Sequence, residues 1–145
     1  MALRYLSYRP RSQLEVKNYL RLKGCEPQVS EAVVDKLRSL HYLDDLSFAQ
    51  VWARSRLESR SYGPRRVEQE LRMKGIDTNV IRETIQQSLN HTSEQESARK
   101  ILTKRFGGGS LMDAKARRRA VDLLQRRGFT SQVIFDLLQY RIDED

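Results

Sequence analysis

Few residues of this sequence have side chains and spacing suited to catalysis. Asp44 and Asp45 are adjacent carboxylates, a pair that elsewhere serves acid–base catalysis or metal binding. They stand directly before an amphipathic segment, where an acidic side chain commonly accepts the free amide hydrogens at the start of a helix. We therefore interpret the two aspartates as helix-capping residues. The alternative is an enzyme, such as a nuclease, that uses them to bind a metal ion.

The other chemically reactive side chains are the single cysteine, Cys25, and the two histidines, His41 and His91. One cysteine cannot form an internal disulfide, and these three residues do not supply the usual set of about four zinc ligands. No nucleophile, base and orienting group recur together in the sequence. We predict that Cys25 packs in the core and that the protein is not an enzyme, with no metal and no cofactor.

A glycine run, Phe106-Gly-Gly-Gly-Ser110, could in principle cradle a phosphate group. It lacks the Lys-Ser/Thr ending of a nucleotide-binding loop, and it follows a helical pattern where such a loop follows a strand. The run is therefore predicted to be a linker between two helices.

The composition favours binding to a polyanion or to an acidic protein surface. The 145 residues include 27 Lys and Arg against 19 Asp and Glu, a net charge of +8. The excess is concentrated in residues 99–127, with ten basic residues against two acidic ones. Apolar runs never exceed three residues, which excludes a membrane span, and the start of the chain lacks the apolar core of a signal peptide. We expect a cytoplasmic protein.

A helix, glycine turn and helix pattern occurs three times, around Gly24, Gly75 and Gly128, at spacings of 51 and 53 residues. Leucine stands four positions before each glycine and valine five positions after it, so the apolar phase continues across the turn. Glycine at this point accepts the left-handed conformation that ends a helix. The pattern therefore predicts three pairs of helices joined by tight turns.

A further amphipathic helix precedes each pair, and the one in the first copy is short. The predicted fold is all-α, an elongated, curved array of three tandem three-helix repeats at residues 1–43, 44–90 and 91–145. Capping boxes at Ser12 with Glu15 and Ser93 with Glu96, and a helix start at Gly63 with Pro64, support the boundaries. A compact nine-helix bundle is the alternative.

The placement of basic residues argues against base reading by a helix-turn-helix. The helices after the glycine turns begin at Glu26, Asp77 and Thr130, which are acidic or neutral where phosphates would approach. The basic residues lie on the other helices and predict an extended electropositive surface, although a merely solvated helix face is the alternative. The predicted surface consists of Arg54, Arg56, Arg60, Tyr62, Arg65, Arg66, Arg72, Lys74, Lys115, Arg117, Arg118, Arg119, Arg126 and Arg127.

Several short strings of the sequence form a distinctive set. They are Arg9-Pro-Arg-Ser12 with Glu15 and Leu20, His41-Tyr-Leu-Asp-Asp45, Phe48-Ala49, Tyr62-Gly-Pro-Arg-Arg-Val67, Glu70-Leu71 and Lys74-Gly-Ile76. Together they resemble the signature of the RecX family, bacterial regulators of the RecA recombinase. The resemblance covers residues 2–89 well, and the third repeat agrees in helical pattern and basic character. The sequence departs from the family in having His41 where glycine is usual and in lacking the common N-terminal extension.

The resemblance implies a protein that lodges in the groove of a RecA filament on single-stranded DNA. It would block filament extension, promote disassembly and lower recombinase, ATPase and co-protease activity, thereby regulating recombination and the SOS response. The implied partners of a monomeric chain are the RecA filament and single-stranded DNA, through the basic surface above, with no membrane and no small-molecule substrate. The alternative is a helical DNA-binding protein that competes with RecA for single strands, stacking bases on Tyr8, Tyr42 or Tyr62.

Replacing Asp44 and Asp45 by alanine tests the capping interpretation. We expect the free energy of unfolding to fall by about 0.5–2 kcal/mol, the usual effect of a lost helix cap. Urea denaturation followed by circular dichroism measures the change. Because we assign these residues no catalytic role, the alternative of a nuclease is favoured if metal-dependent DNA cleavage is present in the wild type and absent from the variant.

Overall fold

The structure, a computed structural model, describes residues 1–89, 94–107 and 113–139, and every regular element in these ranges is helical. The helices are α1 (Ala2–Tyr8), α2 (Gln13–Leu22), α3 (Pro27–Ser39), α4 (Asp45–Arg54) with a π-helical turn (Ser55–Ser59), α5 (Pro64–Met73), α6 (Thr78–Leu89), α7 (Glu94–Phe106), α8 (Ala114–Arg127) and α9 (Ser131–Leu138). None of these helices is long and apolar enough to cross a membrane. His91, Ser93 and most of the glycine run lie outside the described residues.

Each repeat has its own hydrophobic core. The first cluster joins Ala2, Val16, Leu20, Val34, Leu37 and Leu43, the second joins Phe48, Ala49, Ala53, Leu57, Val67, Leu71, Ile76 and Ile81, and the third joins Ala98, Ala120, Val121, Leu124, Phe129, Ile134 and Leu138. Cys25 packs against the first cluster, as predicted for its position. The three separate cores confirm an all-α array of three-helix repeats, since a nine-helix bundle would share one core.

The three glycine turns have the predicted conformation. Gly24, Gly75 and Gly128 have φ of 90°, 79° and 91°, in the left-handed region. In each turn the amide after the glycine donates to the carbonyl of the leucine four residues before the glycine, at 3.0–3.1 Å. A fourth turn of this kind follows α3, where His41 has φ 64°. This left-handed conformation is one that glycine adopts more readily than histidine.

The aspartate pair caps two different helices. The Asp44 carboxylate accepts the amides of Leu46 and Ser47, at 3.0 and 3.2 Å, at the start of α4. Asp45 lies within α4, and its carboxylate accepts the amide of Gln13, the first residue of α2, at 3.0 Å. Both side chains therefore cap helices, but Asp45 caps one in the neighbouring repeat.

Repeats one and two meet around the carboxylate of Glu15. This side chain completes the predicted capping box with Ser12, forms an ion pair with Arg9, and lies 3.3 Å from the Lys74 ammonium of repeat two. Burial alone raises the pKa of Glu15, but the hydrogen bonds from Arg9 and the Ser12 amide, together with the charge of Lys74, outweigh it and lower the pKa below 4.5. The ionised form of Glu15 thus stabilises the first junction.

Substituting Glu15→Gln is expected to cost about 1.5–3 kcal/mol at neutral pH, because charge-assisted hydrogen bonds are lost. Since the pKa is lowered by folding, this stability is present above pH 4.5 and is lost as the pH falls through the folded-state pKa. Urea denaturation at pH 7 and at about pH 3.5 should show the difference between wild type and variant shrinking with acid. An equal difference at both pH values would contradict the assignment.

Folding shifts the pKa of Asp45 in the opposite direction, so Asp45 has the opposite effect on how stability depends on pH. Burial raises this pKa above 3.8, against the hydrogen bond from Gln13, so the contribution of Asp45 to stability falls as the pH rises through its folded-state pKa. The charge of Glu15 is one of the causes that raise this pKa, so Glu15→Gln also lowers the pKa of Asp45, and the difference between the two proteins includes this coupling. Glu26→Gln is the control, because Glu26 is exposed and makes no side-chain cap.

Candidate functional site

The junction of repeats two and three is made by backbone hydrogen bonds. The amide of Gly63 donates to the carbonyl of Arg127 at 2.6 Å, and the amide of Arg65 donates to the carbonyl of Gly128 at 2.9 Å. The first amides of a helix and the last carbonyls of a helix have no partner within that helix. Here the start of α5 and the end of α8 satisfy each other, and their dipoles meet with opposite signs.

Two glycines allow this close approach. A Cβ atom on Gly63 would overlap the carbonyl group of Gly128 and the nitrogen of Phe129, and one on Gly128 would overlap Arg66. Gly63 has an ordinary φ of −82°, so its backbone conformation does not require glycine. Contact with repeat three is therefore the reason that any side chain at position 63 is unfavourable.

Tyr62 lies at the centre of a group of arginines beside this junction. The guanidinium carbon of Arg66 lies 3.7 Å from the centroid of the ring, and those of Arg127 and Arg56 lie at 5.8 and 6.0 Å. Cations attracted to an aromatic face contribute roughly 0.5–2 kcal/mol each, depending on exposure. The N–H donors of a stacked guanidinium lie in its own plane, parallel to the ring, so stacking positions the cation without using its donors.

The π-helical turn brings residues of both repeats to Tyr62. After this turn the chain reverses at Ser61, with φ 54°, and the amide of Tyr62 donates to the carbonyl of Arg56 at 2.9 Å. The Arg127 guanidinium of repeat three donates to the carbonyl of Arg60 at 2.9 Å. Single π-helical turns are frequent at functional sites. The turn thus places Arg56, Arg60 and Tyr62 beside Arg127 at the end of α8.

We call Tyr62 and the basic residues at the junction of repeats two and three the junction cluster. It consists of Arg56, Arg60, Tyr62, Arg65, Arg66, Arg126 and Arg127.

A polar cavity of about 300 Å³ opens within the junction cluster. It is lined by Arg65, Arg66, Gln69, Gln125, Arg126, Gly128, Phe129 and Ser131. None of these lining residues is acidic. The site can therefore bind an anion through guanidinium, amide and hydroxyl donors.

The predicted surface residues elsewhere in repeat two are separate from the junction cluster. Arg54 is exposed on α4. The Arg72 guanidinium lies 2.7 Å from the Glu68 carboxylate, and the Lys74 ammonium lies near Glu15. Carboxylates partly neutralise Arg72 and Lys74, and within the junction cluster Arg56 is also paired, its Nε lying 3.7 Å from the Glu70 carboxylate.

Helix α8 extends the basic surface away from the junction. Lys115, Arg117, Arg118 and Arg119 lie in its first half. Arg119 and Arg126 are two helical turns apart, about 10.5 Å, and both line a second cavity of about 480 Å³ between α7 and α8. The junction cluster and these four residues contain eleven of the fourteen predicted surface residues.

Some residues that line these cavities were not predicted from the sequence. Gln69, Gln125 and Ser131 line the first cavity, and Arg105 lines the second. A neutral polar side chain does not by itself indicate a binding site in a sequence. Arg105 belongs to the basic segment 99–127 but stands two residues before the glycine run, next to the predicted linker, and was not included in the predicted surface.

No group of three or more His, Cys, Asp and Glu residues within 1–89, 94–107 and 113–139 could hold a metal ion. The geometry at the junction instead provides cationic donors and an aromatic ring. These features define a class, an all-α protein of tandem three-helix repeats with a cationic inter-repeat junction.

Comparison with known proteins gives the family. Models of the first, second and third three-helix domains of RecX match residues 1–37, 44–85 and 93–138. The regulatory protein RecX of Mycolicibacterium smegmatis is 32% identical over 98% of this chain and 78% of its own length. The chain belongs to the RecX family.

Two further relatives define how far the similarity extends. The regulatory protein RecX of Lactobacillus johnsonii is 29% identical over 100% of this chain, which spans 55% of that longer protein. The crystal structure of RecX from Lactobacillus salivarius aligns with a TM-score of 0.76 at 24% identity, covering 95% of this chain and 90% of the other. The fold is therefore shared across the chain, including the third repeat.

Gly24→Ala and Gly128→Ala form a matched pair that tests the junction. Both glycines have the same left-handed conformation, so alanine costs roughly 1–2 kcal/mol at either position. A Cβ at Gly24 meets no atom within 4 Å, whereas one at Gly128 overlaps Arg66. Urea denaturation should show that Gly128→Ala is more destabilising by about 1–3 kcal/mol, the cost of overpacking. Equal losses would show that the junction is not tightly packed.

Proposed function

We propose that this chain binds the RecA filament on single-stranded DNA and regulates it by blocking extension and promoting disassembly. Recombinase, ATPase and co-protease activity would fall as the filament shortens. The observation that carries the proposal is the junction cluster, in which the guanidinium groups of Arg56 and Arg66 from repeat two and Arg127 from repeat three lie 3.7–6.0 Å from the ring of Tyr62. Membership of a family of regulatory proteins supports it.

The arrangement suits a repetitive, negatively charged partner. The basic side chains extend from the junction cluster along α8, over at least two helical turns between Arg126 and Arg119. Guanidinium groups bind both carboxylates and phosphates with two parallel hydrogen bonds. A nucleoprotein filament offers both kinds of anion at regular intervals, and binding to it needs no chemical turnover. We expect these partners to place the protein in the cytoplasm.

A second candidate function is competition with RecA for single-stranded DNA. The observation that favours it is the stack of Arg66 on Tyr62, since bases stack on guanidinium planes as well as on aromatic rings. The two functions differ in salt dependence. Tight binding to bare DNA that falls steeply with salt favours the competitor, whereas weak binding to bare DNA with tight binding to the filament favours the regulator.

The direct test is RecA-dependent ATP hydrolysis on single-stranded DNA with the chain added in substoichiometric amounts. Wild type should inhibit hydrolysis. Arg65→Glu combined with Arg126→Glu reverses two exposed charges of the junction cluster, and we expect at least a tenfold higher concentration for half inhibition, about 1.4 kcal/mol.

The control is Arg21→Glu combined with Arg38→Glu, which makes the same change in net charge on exposed residues of repeat one. It should retain the potency of wild type. Absence of inhibition by wild type at any ratio defeats the proposed function. Equal loss in both double variants would assign the effect to net charge and remove the junction cluster from the site.

A further inference from the structure

The cavity in the junction cluster lies where three helix ends meet. Arg65, Arg66 and Gln69 come from the first turns of α5, Gln125 and Arg126 from the last turn of α8, and Ser131 from the start of α9. Repeats two and three each contribute at least one arginine. A ligand in this cavity would therefore contact both repeats.

The cavity is electropositive in spite of the nearby carbonyl end of α8. The last carbonyls of α8 and its turn already accept hydrogen bonds, from the amides of Gly63 and Arg65 and, at 3.5 Å, from the Arg66 guanidinium. The amino end of α9 adds a favourable dipole for an anion. The Glu94 carboxylate accepts the amide of Thr130 just before α9 and offsets part of this dipole, but the residues that line the cavity include three arginines and no acidic side chain.

Contacts within the junction position two of the three arginines, and each of these two retains N–H donors. Arg66 is held by its stack on Tyr62, and the Arg126 Nε donates to the carbonyl of Asp122 at 3.4 Å. A guanidinium has five N–H donors, so each of these two retains several for a ligand. Positioned donors in a cavity reduce the loss of side-chain freedom when a ligand binds.

The donor set matches a tetrahedral oxyanion. A planar carboxylate pairs well with one guanidinium, whereas a phosphate group presents oxygens in several directions and can be bound by guanidinium groups from more than one element. The arginines of this cavity approach from α5 and from α8. The volume of about 300 Å³ is at the lower end for ligand pockets and accommodates a phosphate group with its attached sugar.

We propose that this cavity is a phosphate-binding site and that a bound phosphate group bridges repeats two and three. This inference rests on the proposed function and deepens it, because it assigns the ligand as a phosphodiester of the single strand carried by the filament. A bridging anion would also hold the two repeats in a fixed orientation while the chain is bound.

The test is an NMR titration of the ¹⁵N-labelled full chain with inorganic phosphate at constant ionic strength. The amides of Gly128 and Ser131, at the cavity, should shift in a saturable manner. Gln69→Glu places a carboxylate among the lining residues and should weaken the affinity for phosphate at least tenfold. Gln50→Glu makes the same change at an exposed position on α4 and should leave the affinity unchanged.

A short oligothymidylate identifies the source of the phosphate. If the ligand is a phosphodiester, the same two amides shift with the oligonucleotide, and excess inorganic phosphate displaces it. Shifts with inorganic phosphate alone would overturn the assignment to the DNA strand. No saturable shift with either probe, or displacement only by an acidic peptide, would overturn the phosphate site.

The measurements distinguish failure of the phosphate site from failure of the proposed filament function. If the junction variant Arg65→Glu with Arg126→Glu loses filament inhibition but neither phosphate probe binds the wild type, the filament function stands and the phosphate site is overturned. If phosphate binds the cavity but wild type does not inhibit at any ratio, the proposed function is overturned, and with it the assignment of the ligand to the strand in the filament.

Discussion

The arrangement of the junction cluster depends on the hydrogen bonds between the start of α5 and the end of α8. The amides of Gly63 and Arg65 and the carbonyls of Arg127 and Gly128 belong to helix ends that have no partners of their own. Each bond contributes only about 1 kcal/mol. Together they fix the position of repeat three relative to repeat two. The neighbouring arginines on α5 and α8 are thereby held close to one another.

The two junctions use charge in opposite ways. Between repeats one and two the contacts are made by side chains, and Glu15 is paired with the basic residues Arg9 and Lys74. Between repeats two and three the backbone makes the contact, and the neighbouring arginines gather around Tyr62. The first junction therefore pairs its basic residues with a carboxylate, whereas at the second junction Arg66 and Arg127 lie beside an aromatic ring and only Arg56 is shown paired with a carboxylate, that of Glu70.

The sequence predicted the repeats well because their signals are local. A left-handed glycine and the leucine four residues before it lie in the same turn, so the pattern is visible within a few residues. The contact of Gly63 with Gly128 joins positions 65 residues apart, and nothing near Gly63 distinguishes a packing glycine from a helix start. Asp45 shows the same limit, since its capped partner, Gln13, lies in another repeat. The basic residues were found by type, and only the fold separates those at the junction from those paired elsewhere.

Hydrogen exchange of individual amides tests this account most directly. Arg65 and Gln28 both stand second in helices that begin with proline, but only the Arg65 amide bonds to another repeat. Measured by NMR on the full chain, the Arg65 amide should exchange at least a hundredfold more slowly than Gln28 after correction for intrinsic rates, a difference of about 2.7 kcal/mol or more. Equal protection of the two amides would contradict a fixed junction and the surface that depends on it.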